Sequence, residues 1–306
     1  MSALPRIRAA LLSCLLWAMI GAPGAWAAEP PPAEAKTDKP ADPPAPADGA
    51  AAPPAADAAA APVDKPLDKA APAAPEPLLL ARLEAKTLPT DFIKLGDDAA
   101  PILARYRAAT HTPAKGAVLF IPAPGRFIGD DAVIAAALNE LPPGGWSVLA
   151  VQTPLLPATA SMQQYEDTHD QALERAKKGL EYLAQQQSPA TVVVGRAGSV
   201  ELAREVATAA GEVAAVAALG PWSGQIGESK LPLLDVSPAR ERGSVASAGE
   251  RKLEASRGKL EAYRQLVLTG ADQRYIGFEV EIARRIRGFA EHLPPPGKGA
   301  APVPRS

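Results

Sequence analysis

Between Phe92 and Leu293, short and nearly continuous apolar runs alternate with stretches whose apolar positions recur every three or four residues. The runs at 117–121, 146–151, 191–194, 213–219, 231–236 and 263–268 predict strands buried on both faces. The intervening spacing predicts helices over 130–141, 161–187, 199–210 and 246–261, and a closing helix over 277–293. The longest helix places Tyr165, His169, Leu173, Ala176, Leu180 and Leu183 on one stripe. The closing one aligns Phe278, Ile282, Ile286, Phe289 and Leu293, with Arg284, Arg285 and Arg287 on or beside its exposed face. Two strand-like stretches, 92–95 and 102–106, flank the turn at Gly96, Asp97 and Asp98 and predict an antiparallel entry to the sheet. The pattern is that of an α/β three-layer sandwich, a mostly parallel sheet flanked by helices, over 78–293.

Composition changes at both ends. Residues 1–27 carry Arg6 and Arg8, an apolar run from Ala9 to Ile20 and small residues up to Ala27, the order of a secretory signal peptide cleaved after Ala27. The expected location is then the periplasm. An uncleaved anchor is the alternative, although Gly21, Pro23 and Gly24 interrupt the run. Cys14, the only cysteine, lies inside that run, so the exported chain holds no thiol for disulfides, metal ligation or nucleophilic attack. Residues 28–77 are mostly Ala and Pro with no aromatic residue, a composition that cannot bury enough apolar surface to order itself and reads as a disordered spacer. Residues 294–306 read as a disordered tail. Nine acids and four lysines in 29–77 carry the negative balance, and charge from Leu78 onward is nearly even. No basic footprint for nucleic acid results.

The stretch 191–203, TVVVGRAGSVELA, joins a buried-looking strand to a helical pattern through Gly195 and other small residues. Other landmarks are KGAVLFIPAPG (115–125), GWSVLAVQTPLLP (145–157), LPLLDVSPA (231–239), YRQLVLTGADQ (263–273) and RRIRGF (284–289). In these stretches and their order, over about 88–293, the chain resembles the α/β-hydrolase superfamily. Within it the chain resembles the bacterial family called domain of unknown function 3530, which brings no established activity. The resemblance implies a nucleophile elbow G-x-S-x-G, a histidine after the last strand and an oxyanion loop after the first parallel strand.

All three positions are altered. Aligned on Gly195, the elbow has Arg196, then Ala197 at the nucleophile, then Gly198, with Ser199 at the second glycine; a methyl group cannot attack a carbonyl. Ser199 is expected to cap the following helix, with Glu201 and Glu205 complementing its dipole. Similar sequences of the family read G-A-D-H after the last strand; here Gln273 follows Asp272, and Gln cannot serve as base. The oxyanion loop reads Pro122, Ala123, Pro124, Gly125, so two prolines remove donors, and Gly125 and Arg126 keep theirs. Asp235 sits on a strand and reads as structural, leaving Glu241 as the only stand-in for the acid. Weak rescue candidates are Ser199, Ser223, Glu241 and Asp272. His169 is expected to be partly buried, His292 to suit a helix C-terminus and His111 to be solvated. Arg196 reads either as a holder of an anionic ligand or, more blandly, as an exposed surface residue.

No His or Cys cluster has metal spacing and no phosphate loop is present, so neither metal nor cofactor is expected. Acids at Asp130 and Asp131 read as helix-start residues. A ligand cleft is expected at the carboxyl ends of the strands, near Pro122, Gly125, Arg126, Gly195, Arg196, Gly198, Trp222, Arg274 and Tyr275. Three functions are compatible with this reading: a noncatalytic exported binding or accessory module, a divergent serine hydrolase with a displaced nucleophile, and a structural envelope protein. The partner is an envelope protein or a small ligand, with membrane contact only through an uncleaved N-terminal segment.

Overall fold

The apolar runs pair side by side into one eight-stranded sheet of order β1-β2-β4-β3-β5-β6-β7-β8. These strands are β1 (Phe92–Leu95), β2 (Ile102–Arg107), β3 (Gly116–Ile121), β4 (Trp146–Val151), β5 (Thr191–Arg196), β6 (Val213–Leu219), β7 (Leu233–Pro238) and β8 (Tyr263–Leu268). β1 and β2 join antiparallel to each other and to β4, and all other neighbours are parallel. The computed structural model describes residues 75–293 apart from 212, 223, 228–230 and 261, all within one unit spanning 66–306. The expected signal peptide, most of the spacer, the tail, Ser223 and the expected helix end at Glu261 lie outside the described residues.

Every residue of β3, β4 and β5 is buried because side chains alternate between two cores. Val118 and Phe120 meet one core, which α2 (Ala132–Glu140) and α7 (Glu279–Glu291) complete with Val133, Ile134, Leu138, Ile282 and Ile286. Ala117, Leu119 and Ile121 meet the other, completed by Ala176 and Leu183 of α4 (His169–Gln185) and by Ala203 and Val206 of α5 (Val200–Ala210). Asp131 starts α2: its carboxylate accepts from the backbone N–H groups of Val133 and Ile134 at 3.0 and 3.2 Å.

Four elements depart from the sequence reading. The helix expected over 161–187 is broken. α3 (Met162–Glu166) ends at Asp167, Thr168 leaves helical geometry with its hydroxyl donating to Tyr165 O at 2.8 Å, and α4 restarts at His169. The restart turns His169 off the apolar stripe, and it is exposed rather than partly buried. β7 begins and ends two residues later than expected, so Ser237 and Pro238 belong to the strand. α6 (Arg242–Arg257) begins four residues earlier than expected. Finally, α1 (Pro75–Glu84) occupies the boundary set at 77–78. Prolines suit a first helical turn, and Leu79, Leu80 and Leu83 pack on the first core.

The order of strands reverses beside β3. The loops leaving β3 and β5 therefore part to opposite faces, and their carboxyl ends open a crevice.

Candidate functional site

The tip of β5 has the geometry of a nucleophile elbow. Ala197 sits at φ +46, a left-handed conformation that costs an L-residue about 1–2 kcal/mol, and a single 3-10 turn over Ala197–Ser199 leads into α5. Gly195 makes the sharp turn possible. A Cβ there would lie 2.7 Å from both Ser199 O and Val200 Cα and 2.8 Å from Ala203 Cβ, closer than packed atoms approach. Gly198 is less constrained, since its Cβ would meet Pro124 at 3.4 Å.

Ser199 does not cap α5, contrary to expectation. It is buried, and its hydroxyl donates to Pro122 O at 2.6 Å, because the close approach of helix to strand points it at the β3 loop instead of its own helix. That hydrogen bond ties the elbow to the loop and commits the Ser199 proton to a carbonyl, which cannot remove it as a base does. The loop offers less than its sequence promised. Arg126 N–H is spent on a turn bond to Ala123 O at 3.0 Å, and Arg126 O accepts from Gln152.

Arg196 is buried rather than exposed, and its Nη1 has no hydrogen-bond partner among the described residues. It is 8% exposed, its Nε lies 3.2 Å from Asp131 Oδ2, and its guanidinium packs 5.5 Å from the centre of the Tyr275 ring. Tyr275, fully buried, donates to Val236 O at 2.6 Å, and burial pushes its phenol well above the usual range. The two residues therefore form a floor joining the elbow, the start of α2 and the loop before α7, beneath the surface expected to be cleft. Gln273 and Arg274 are exposed and line no cleft described below. Asp272 accepts from the backbone N–H of Arg274 at 3.0 Å and of Ile276 at 3.4 Å, so it shapes a turn.

Asp235 is fully buried and held from five sides. Arg251 donates through Nε at 2.9 Å and Nη2 at 3.1 Å, Tyr263 Oη at 2.7 Å, Gln265 Nε2 and Trp222 Nε1 at 3.2 Å, and Ser237 Oγ at 3.4 Å. Burial alone would raise its carboxyl pKa; the hydrogen bond and charge of Arg251, with Tyr263 and Gln265, outweigh it and hold Asp235 below the ordinary carboxylate value. Tyr263 is pushed up by burial and by the facing carboxylate. Trp222 joins this network through its indole N–H, and Arg251 lies 4.2 Å and Arg204 5.6 Å from its ring centre. The sequence does not mark Arg251, since an arginine in the stretch GERKLEASR carries no local sign of its partner.

Two clefts flank the elbow, with Gly198 bordering both. The larger, about 480 Å³, runs between α5 and α6 past Ala197, Pro221, Trp222 and Glu241. The smaller, about 270 Å³, is lined by Pro124, Thr153, Tyr165, His169 and Ser199. Thr153 and Tyr165 were not anticipated, because the break at Thr168 that swings α3 over the loop has no Gly or Pro to signal it. Gly125, at φ +72, lies under Tyr165, whose hydroxyl a Cβ there would meet at 2.7 Å. His169 Nε2 pairs with Glu205 at 2.8 Å across the exposed seam of α4 and α5, His292 Nδ1 bonds Gly288 O at the end of α7, and His111 is exposed. No histidine reaches Ala197's cleft among the described residues, and no group of three or more His, Cys, Asp and Glu gathers there as metal ligands.

No protein-family model and no curated protein matches the chain. Solved structures do. The chain is similar to a dienelactone hydrolase from Anabaena variabilis at 13% identity and TM-score 0.51, covering 66% of this chain and 96% of that one. A serine hydrolase without lid from Xanthomonas campestris matches at 15% identity and TM-score 0.51, covering 70% and 99%. An esterase from Pyrococcus furiosus matches at 13% identity and TM-score 0.53, covering 69% and 93%. Identities this low speak to architecture alone. The eight-stranded sheet, its flanking helices and the turn at Ala197 give this chain the α/β-hydrolase fold.

Proposed function

We propose that this chain is a noncatalytic α/β-hydrolase-like protein, exported and working as a binding or accessory module in the cell envelope. The observation that carries the reading is Ala197 at φ +46, an elbow whose strained turn is kept while its nucleophile is a methyl group. The described hydroxyl on the elbow, Ser199, donates a hydrogen bond to Pro122 O, and no histidine lines the cleft beside Ala197 among the described residues. The test is labelling with a fluorophosphonate probe, with p-nitrophenyl acetate turnover alongside. Neither is expected above the buffer background; reproducible covalent labelling of any serine would overturn the reading.

The landmark stretches at 115–125, 192–199 and 263–273 support placing the chain near the domain of unknown function 3530. The signal-like order of residues 1–27 supports export, and the intact mass of the protein recovered from a periplasmic extract tests it, with Ala28 as the expected first residue. A second reading, a divergent serine hydrolase, is favoured by Glu241, which shares a cleft with Ala197. It predicts ester turnover abolished by Ser199→Ala or Ser223→Ala.

A further inference from the structure

The cleft beside Ala197 is one-sided in charge. Among the described residues its charged lining side chains are Glu201 and Glu241, and its apolar wall is made by Ala197, Val200, Pro221 and Trp222. Glu201 is already answered by Arg204 at 2.9 Å, and Arg204 further donates to the carbonyls of Gln225 and Ile226. Arg251, behind Trp222, is consumed by Asp235. Arg240 and Arg242 neighbour Glu241 in sequence, yet both are exposed, neither lines the cleft and neither pairs with it. Glu241 is thus a half-buried carboxylate without a hydrogen bond or ion pair among the described residues.

A second group on the same rim is also unmatched. Ser244 lines the cleft, is 4% exposed, and its Oγ is buried with no hydrogen-bond partner. Buried hydroxyls nearly always find a partner, so one left open beside an open carboxylate marks a place where a ligand supplies the donors. Glu241 is the N-cap residue of α6, with no side-chain bond to the helix backbone, and Ser244 is its third helical residue, so both sit at the same end of the helix.

We propose that this cleft binds small molecules carrying an ammonium or guanidinium group on an apolar body. The cation donates to the Glu241 carboxylate and to Ser244 Oγ, and the apolar body lies on Trp222, Pro221 and the methyl of Ala197. A serine at position 197 would put a polar group against that body, so the substitution that removes the nucleophile also completes an apolar floor. The inference rests on the reading of the fold as a binding module and names the class of its ligand.

Calorimetric titration of the full chain with benzylamine, benzyl alcohol and benzoate, each up to about 10 mM, tests it. Benzylamine is expected to bind saturably and at least about tenfold tighter than either isostere, with Glu241→Gln losing about tenfold and Ser244→Ala a few-fold. Glu241→Gln breaks no internal contact, so its melting curve is expected to match the parent. Should either variant fail to fold, the comparison of the three probes on the parent chain decides. Equal binding of all three, absence of benzylamine binding, or an unchanged affinity in a folded Glu241→Gln variant overturns the proposal. Those outcomes leave the noncatalytic reading standing, and fluorophosphonate labelling overturns that reading whatever benzylamine does.

Discussion

Ala197 holds the left-handed turn of the elbow at φ +46 without a reacting group, and the buried charges near it are met by partners distant in the chain. Ala197 and Gln273 announce the missing nucleophile and base by identity alone, because those roles depend on residue type at a fixed place in a motif. Arg196 and Asp235 depend on partners far away in the chain, Asp131 and Tyr275 for one, Arg251 and Tyr263 for the other. Sequence spacing says nothing of such pairs. Asp235 gives the sharper prediction. Asp235→Asn leaves the Arg251 charge buried without a counterion and is expected to cost roughly 3–5 kcal/mol in urea unfolding. The double variant Asp235→Leu with Arg251→Met is expected to recover part of that loss, since Tyr263 and Gln265 still lose an acceptor. The pH dependence has a definite sign. A carboxyl held below its unfolded value of about 3.9 contributes stability above that pH, and loses it as the pH falls through the folded value. Stability of the parent is therefore expected to drop below about pH 4, and the Asp235→Asn curve to be flatter there. Identical slopes for the two proteins would show that Asp235 does not carry the acid transition.

Elements were read best where periodicity is uninterrupted. The buried runs of β3, β4 and β6 fall where their apolar residues place them, because a strand covered on both faces needs little else. β7 runs two residues past its apolar stretch because Ser237 and Pro238 look like a loop in sequence, and only the fold brings Arg251 to Ser237 Oγ. α6 begins earlier than its sequence suggests because Gly243 and Ser244 are weak helix formers, and of the two only Ser244 is buried in the fold. The first three residues of α1, Pro75 to Pro77, read as spacer through their prolines, and they matter energetically. Glu76 pairs with Arg175, both mostly buried, and Arg175 also donates to Gln152 O at 3.2 Å, in the stretch that supports the β3 loop. A chain begun at Leu78 removes Glu76 and leaves Arg175 short of its counterion. It is expected to be roughly 1–3 kcal/mol less stable than one begun at Pro75. Adding Arg175→Met to the shorter chain is expected to restore part of the difference; no difference between the two starts in thermal melts would return the boundary to 77–78.

For the whole molecule, the alternation of strand-like and helix-like stretches is enough to give the layers, whereas the smaller cleft depends on the bend at Thr168 and the larger on side chains around α5 and α6 that meet only after folding. The two hydrophobic cores on either face of the sheet draw their buried residues from 92–290. The Ala- and Pro-rich stretch preceding α1 has no aromatic residue and a surplus of acids, so it lacks the means to contribute a third. If its task is to hold the α/β unit away from its point of attachment, its removal leaves the stability of that unit unchanged and alters only where the unit can reach. A fragment spanning 75–293 is therefore expected to melt within about 2 °C of the protein begun at Ala28, a difference below ~1 kcal/mol for a domain of this size. It is also expected to bind benzylamine with the same affinity. A fragment that melts markedly lower, or that aggregates where the longer chain does not, would mean that residues before Pro75 stabilise the domain or keep it soluble, and the spacer assignment would fall.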